Sequence, residues 1–124
     1  MASILRLDHV TIQVEDIPRS IKFYTEKLGF VVNEKTRDND EYASVECGNA
    51  IIDLYGKGSL RQLRQGKETG LVHIALKIKD FDATCEELIR RGVEFHIKAF
   101  FQPKSGRKIA FFKDPDGNIL HITT

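Results

Sequence analysis

The feature that most constrains this chain is an internal repeat. Leu7-Asp8-His9-Val10-Thr11-Ile12-Gln13-Val14 matches Leu71-Val72-His73-Ile74-Ala75-Leu76-Lys77-Ile78 at an offset of 64 residues, and the two histidines coincide. A chain that repeats itself is built from two copies of one supersecondary unit, so a reading of one half must also serve the other. Each matched segment alternates with period two, as a strand with one buried face does. Val10, Ile12 and Val14 form the apolar side of the first; Val72, Ile74, Leu76 and Ile78 form that of the second. Asp16 and Asp80 follow, each a carboxylate that can accept from the free amides of a starting helix. Behind them run the stripes Ile17, Ile21, Tyr24, Leu28 and Phe81, Cys85, Leu88, which predict amphipathic helices ending at Gly29 and Gly92.

Beyond each helix the pattern predicts three strands. In the first half they lie at Val31–Lys35, Tyr42–Cys47 and Ala50–Tyr55, parted by Asp38-Asn39-Asp40 and Gly48-Asn49. In the second they lie at Glu94–Lys98, Lys108–Phe112 and Ile119–Thr123, with turns at Pro103-Lys104-Ser105-Gly106 and Asp114-Pro115-Asp116-Gly117. The expected fold is α+β: two βαβββ modules in tandem, about 4–56 and 70–124, forming a curved mixed sheet around a cleft. A basic, glycine-containing linker at about 57–69, with a helical turn near Leu60–Leu63, joins them within a single domain spanning 1–124.

Lys and Arg number 19 against 18 for Asp and Glu, so the net charge of +1 supplies no field for nucleic acid or an anionic membrane. No stretch of eighteen apolar residues exists to span a bilayer, and no apolar run follows a basic start. Cys47 and Cys85 form no CxxC pair, and are read as small core residues in a reduced compartment; the expected location is the cytoplasm. Gly56-Lys57-Gly58-Ser59 lacks the GxxxxGK[ST] spacing of a phosphate loop. Lys57, Arg61, Arg64 and Lys67, with Lys104, Arg107 and Lys108, form basic loops that either steer an anionic substrate or simply face water.

Strand parity selects the residues that can carry chemistry. His9 shares its side with Thr11 and Gln13, and His73 with Ala75 and Lys77, opposite the apolar faces. On the last strand of each half, Asp53 points away from Ile52 and Leu54, and His121 away from Leu120 and Ile122. If a pseudo-two-fold axis relates the halves, each supplies one donor from its first strand and one from its last. His9, Asp53, His73 and His121 then surround a divalent metal; imidazole and carboxylate suit Ni, Zn, Mn, Co or Fe(II) and do not choose among them. The last strands align only with a one-residue gap, since Asp53 follows Gly48 by five residues and His121 follows Gly117 by four. Thr11, Gln13, Tyr55 and Arg107 are expected to line the substrate cleft. His96, without a counterpart in the other half, is read as a surface or edge residue.

The segments LDHVTIQVEDIPRSIKFYTEKLGF, LVHIALKIKD and FFKDPDGNILHI together resemble the vicinal oxygen chelate superfamily, which includes glyoxalases, bleomycin-resistance proteins and extradiol dioxygenases. The resemblance covers nearly the whole chain. It implies paired βαβββ modules curling around a metal, a homodimer, and a small-molecule substrate that chelates the metal through neighbouring oxygens. His9 and His73 match the two family histidines, Asp53 the first-half carboxylate, usually Glu, and His121 the position of the final Glu. Glyoxalase I moves a proton with that final carboxylate, and bacterial members carry a basic residue for glutathione where Gln13 stands. The implied function is a metal-dependent enzyme acting on a small oxygen-rich molecule, of lyase or isomerase type and lactoylglutathione lyase-like, with Asp53 as a possible base. The alternatives are a metal-free binder of the bleomycin-resistance type and an Fe(II) dioxygenase.

Overall fold

In a computed structural model describing residues 3, 5–39, 41–57 and 71–124, the chain divides into two compact units, Met1–Arg64 and Gln65–Thr124. The first opens with β1 (Val10–Val14), where branched residues alternate with Thr11 and Gln13. Asp16 then accepts a 3.0 Å bond from the Arg19 amide and caps α1 (Ile17–Lys22), with Pro18 in the first turn, where a missing N–H costs nothing. The helix continues through Phe23–Lys27 as a π-helical turn, and Gly29 closes it at φ 82°. β2 (Val31–Val32), β3 (Tyr42–Cys47) and β4 (Ala50–Gly56) complete a four-stranded sheet in the order β1-β4-β3-β2, with β1 parallel to β4 and the other pairs antiparallel.

The second unit repeats the plan. β5 (Ile74–Lys77) leads to α2 (Phe81–Arg90), capped by Asp80 and closed by Gly92 at φ 91°. β6 (Phe95–Gln102), β7 (Arg107–Lys113) and β8 (Ile119–Thr123) follow, in sheet order β5-β8-β7-β6, again with only the β5–β8 pair parallel. The Asp114 carboxylate holds the β7–β8 turn by accepting from the amides of Asp116 and Asn118 and from the Asn118 side chain.

One face of each sheet is closed by its core. In the first unit α1 lies on β3 and β4, and Phe23, Tyr24 and Phe30 are buried with Ala43, Val45, Ile52 and Leu54. Tyr24 meets Phe23 and Phe30 edge to face at 5.2 and 5.8 Å. In the second unit Phe81, Leu88, Ala110, Phe112, Leu120 and Ile122 are buried.

The structure corrects several expectations. The first strand of each half is shorter than the matched segments, so His9 and His73 stand just before β1 and β5. The Val31–Lys35 strand is only two residues long, because the Asn33 side chain accepts from the Lys35 amide and starts a 3₁₀ turn at Glu34–Thr36. β6 runs four residues past its expected end. The buried stripe of the first helix is Ser20, Phe23 and Tyr24; Ile17 and Ile21 are half-buried and line an open hollow of about 560 Å³ with Thr25 and Arg37. Cys47 is exposed beside the Gly48 turn and Cys85 is half-buried, so neither is a core residue. His96 is exposed on the edge strand β6, as read. The linker turn near Leu60–Leu63, with Arg61, Arg64 and Lys67, lies outside the described residues.

Candidate metal and substrate site

Ladder register decides which side chains share a face. Thr11 on β1 pairs with Asp53 on β4, and Asp53 with Ser44 on β3. In the second unit Ala75 on β5 pairs with His121 on β8, and His121 with Phe111 on β7. Thr11 lies two residues after His9 and Ala75 two after His73, so Asp53 and His121 hold equivalent positions. The one-residue gap between the last strands is absorbed in their turns and does not displace the donor.

The structure brings the sequence-selected residues together in two pairs, one in each unit. His9 Nε2 lies 3.5 Å from Asp53 Oδ2, and its Nδ1 lies 2.8 Å from the Asp8 carboxylate. Two donors held at about 2.1 Å by one ion stand about 3.0–3.4 Å apart, so the His9–Asp53 separation is close to that of neighbouring ligands. With Asp8 accepting at Nδ1, the neutral ring carries its lone pair on Nε2, on the Asp53 side, the arrangement in which a carboxylate supports a metal-binding histidine. The Asp8 hydrogen bond, followed by the field of Asp53, raises the His9 pKa, and the same hydrogen bond lowers that of Asp8.

The second pair is two imidazoles, His73 exposed and His121 half-buried. The His73 and His121 rings lie 4.3 Å apart between centroids, and Phe111 stands edge-on to both, at 5.8 and 4.8 Å. His121 Nδ1 is buried and makes no hydrogen bond among the described residues. Burial, then the fields of His73 and Arg107, push its pKa down, which favours the neutral ring with a lone pair free. Within each unit two donors of the kind a borderline divalent ion accepts lie together: an imidazole beside a carboxylate in the first, and two imidazoles, one with a buried, unpartnered nitrogen, in the second. Among the described residues no three His, Cys, Asp or Glu side chains form a metal-holding group; the donors come as pairs.

The expected cleft residues fall on the same faces. Thr11 is in the Asp53 row, and Gln13 and Tyr55 pair in the next. Arg107 begins β7 on the Phe111 side and is exposed. Sequence reasoning missed Ser44, Tyr42 and Phe111. Alternation along Tyr42-Ala43-Ser44-Val45 carried the signal for the first two, since Ala43 and Val45 are the apolar members and have no exposure. Lys57 and Lys108 of the basic loops are ion-paired with Glu15 and Asp82.

Residues 6–122 match the family described as Glyoxalase/Bleomycin resistance protein/Dioxygenase superfamily. The chain belongs to this superfamily. A probable lactoylglutathione lyase of Vibrio parahaemolyticus is 31% identical over 125 residues, covering 94% of this chain and 88% of that protein. The lactoylglutathione lyase of Escherichia coli O157:H7 is 31% identical over 126 residues, covering 95% and 91%. Among solved structures, a glyoxalase family protein from Enterococcus faecalis superposes with a TM-score of 0.76 at 26% identity, covering 96% of this chain and 97% of that one. An integron cassette protein of Vibrio cholerae reaches 0.77 at 21% identity, covering 100% and 98%, a likeness of fold. Among the described residues no helix is long and apolar enough to cross a membrane.

Proposed function

We infer that this superfamily member is a metal-dependent enzyme acting on a small oxygen-rich molecule by lyase or isomerase chemistry. The observation that supports this reading is the equivalence of the two donor pairs: Asp53 and His121 hold matched ladder positions, and His9 and His73, each just before the first strand of its unit, lie beside them. A pair from a first unit and a pair from a second together supply three imidazoles and one carboxylate. A bound divalent ion would polarise adjacent substrate oxygens as a Lewis acid. The chain's own residues do the rest. Asp8 orients His9; Phe111 packs edge-on against the His73 and His121 rings; Asp53, the one carboxylate of the quartet, is the group able to take a proton from a substrate carbon.

His121 stands where the family places its final Glu, so proton transfer by that residue is replaced by a neutral imidazole. With Gln13 in place of a basic residue, this favours a substrate other than the glutathione adduct of the lactoylglutathione lyases. A third imidazole also occupies a position that an Fe(II) dioxygenase leaves for substrate or oxygen, which ranks that chemistry lower. The cytoplasm and a homodimer are the expected setting. Chelator-treated protein titrated with Ni, Zn, Mn, Co and Fe(II) tests the reading: one ion is taken up tightly, and Asp53→Ala weakens uptake and abolishes turnover. Full turnover and uptake in Asp53→Ala contradict the role of Asp53.

The Tyr42–Tyr55 stack favours a second reading, a metal-free ligand binder of the bleomycin-resistance type. Tight binding from an antibiotic panel, without metal uptake or turnover, would establish it.

A further inference from the structure

The open face of the first unit carries a second row beyond the metal-donor row. Register places Gln13, Tyr55 and Tyr42 side by side on β1, β4 and β3. The two tyrosine rings stack at 5.0 Å with planes 15° apart, so they stand as one aromatic wall. Beside them Gln13 Nε2 is buried and makes no hydrogen bond among the described residues. A buried amide donor is costly until something accepts from it. This row lies two residues from the Thr11–Asp53–Ser44 row, about 7 Å along the strands. Neither row contains a cation, Asp53 adds negative charge, and the nearby Lys57 is engaged by Glu15 at 3.4 Å. An anionic group in the tyrosine row meets no lysine, arginine or histidine of that row and faces the Asp53 carboxylate, to which the His9 ring is already paired, whereas a neutral carbonyl oxygen meets an amide donor without a partner among the described residues and an aromatic group meets ring surface.

We propose that Gln13, Tyr42 and Tyr55 form a subsite for a neutral, carbonyl-bearing aromatic group, with its oxygen accepting from Gln13 Nε2 and its ring against the tyrosine wall. The substrate class is then an uncharged aromatic carbonyl compound. This deepens the enzyme reading by naming what lies beside the His9–Asp53 pair, and its test needs no metal.

Equilibrium dialysis of the chelator-treated full chain compares 2-acetylnaphthalene with 2-naphthoate. The ketone binds about tenfold more tightly than the carboxylate, and Gln13→Leu or Tyr42→Leu loses about tenfold in ketone affinity. In the wild type, the Gln13 side-chain amide resonance, identified by its loss in Gln13→Leu, moves on adding ketone; a merely structural amide would not. This keeps the test decisive even if a variant folds poorly. Tyrosine emission gives a parallel signal, because the chain has no tryptophan and of its three tyrosines only Tyr24 is fully buried. Equal or tighter binding of naphthoate, ketone affinity within twofold in Gln13→Leu, or an unmoved amide resonance overturns the subsite. Failure of metal uptake with ketone binding intact removes the enzyme reading and leaves the subsite standing.

Discussion

His9 and His121 are the same residue type placed in opposite environments. His9 sits between two carboxylates with its side chain 41% exposed, which favours the protonated ring; His121 is pressed against His73 and Phe111, which favours the neutral one. Under the proposed function a metal would compete with protons for both, and His9, whose pKa is raised, would set the acid limit of uptake. Removing the Asp8 acceptor lowers the proton affinity of His9; Asp8→Asn is therefore expected to move the acid edge of metal uptake to lower pH while weakening uptake above pH 8 by about 10-fold or more, through loss of ring orientation. An unchanged pH profile would show that Asp8 does not support the ligand. His121 has its own signature in stability. Its folded pKa lies below the unfolded value, so the unfolded chain binds more protons between the two, and stability rises with pH through that window. The urea midpoint of the metal-free protein is expected to fall from pH 7 to pH 5.5, and to fall less in His121→Phe. Equal falls in both proteins would place the titrating group elsewhere.

At the scale of elements, each helix depends on one aspartate. Asp16 and Asp80 accept from the amides three residues on, and Asp80→Ala is expected to cost about 1 kcal/mol, read as a lower urea midpoint with an unchanged m-value. Tyr24→Ala removes a ring with no exposure from beneath α1 and is expected to cost about 3–5 kcal/mol by chemical denaturation. Both caps were legible in the sequence, as were the glycine helix ends and the DPDG turn, because each acts through its nearest neighbours. Strand parity likewise gave the open side of Asp53 and His121. The short β2 was not legible, since a local bond from the Asn33 side chain outweighed the β-branched run before it. The first helix buries Ser20 where the stripe named Ile21, because the π turn at Phe23–Lys27 changes the angular step along the helix. Ser44 and Phe111 depend on cross-strand register, which no spacing within a single strand reports.

For the molecule as a whole, the repeat has kept its scaffold and let its chemistry diverge. Both sheets share one strand order, yet Asp53 is flanked by hydroxyls of Thr11 and Ser44 where His121 is flanked by Ala75 and Phe111. One pair thus lies in polar surroundings suited to a proton-carrying carboxylate, and the other in apolar surroundings suited to a neutral ligand. Under the proposed function both pairs are metal donors. The most direct test is elemental analysis of protein purified without chelator or affinity tag, comparing the wild type with His73→Ala. Near-stoichiometric metal is expected in the wild type, and its loss in the variant. Metal-free wild type that also fails to take up added Ni, Zn, Mn, Co or Fe(II) would contradict the proposed function.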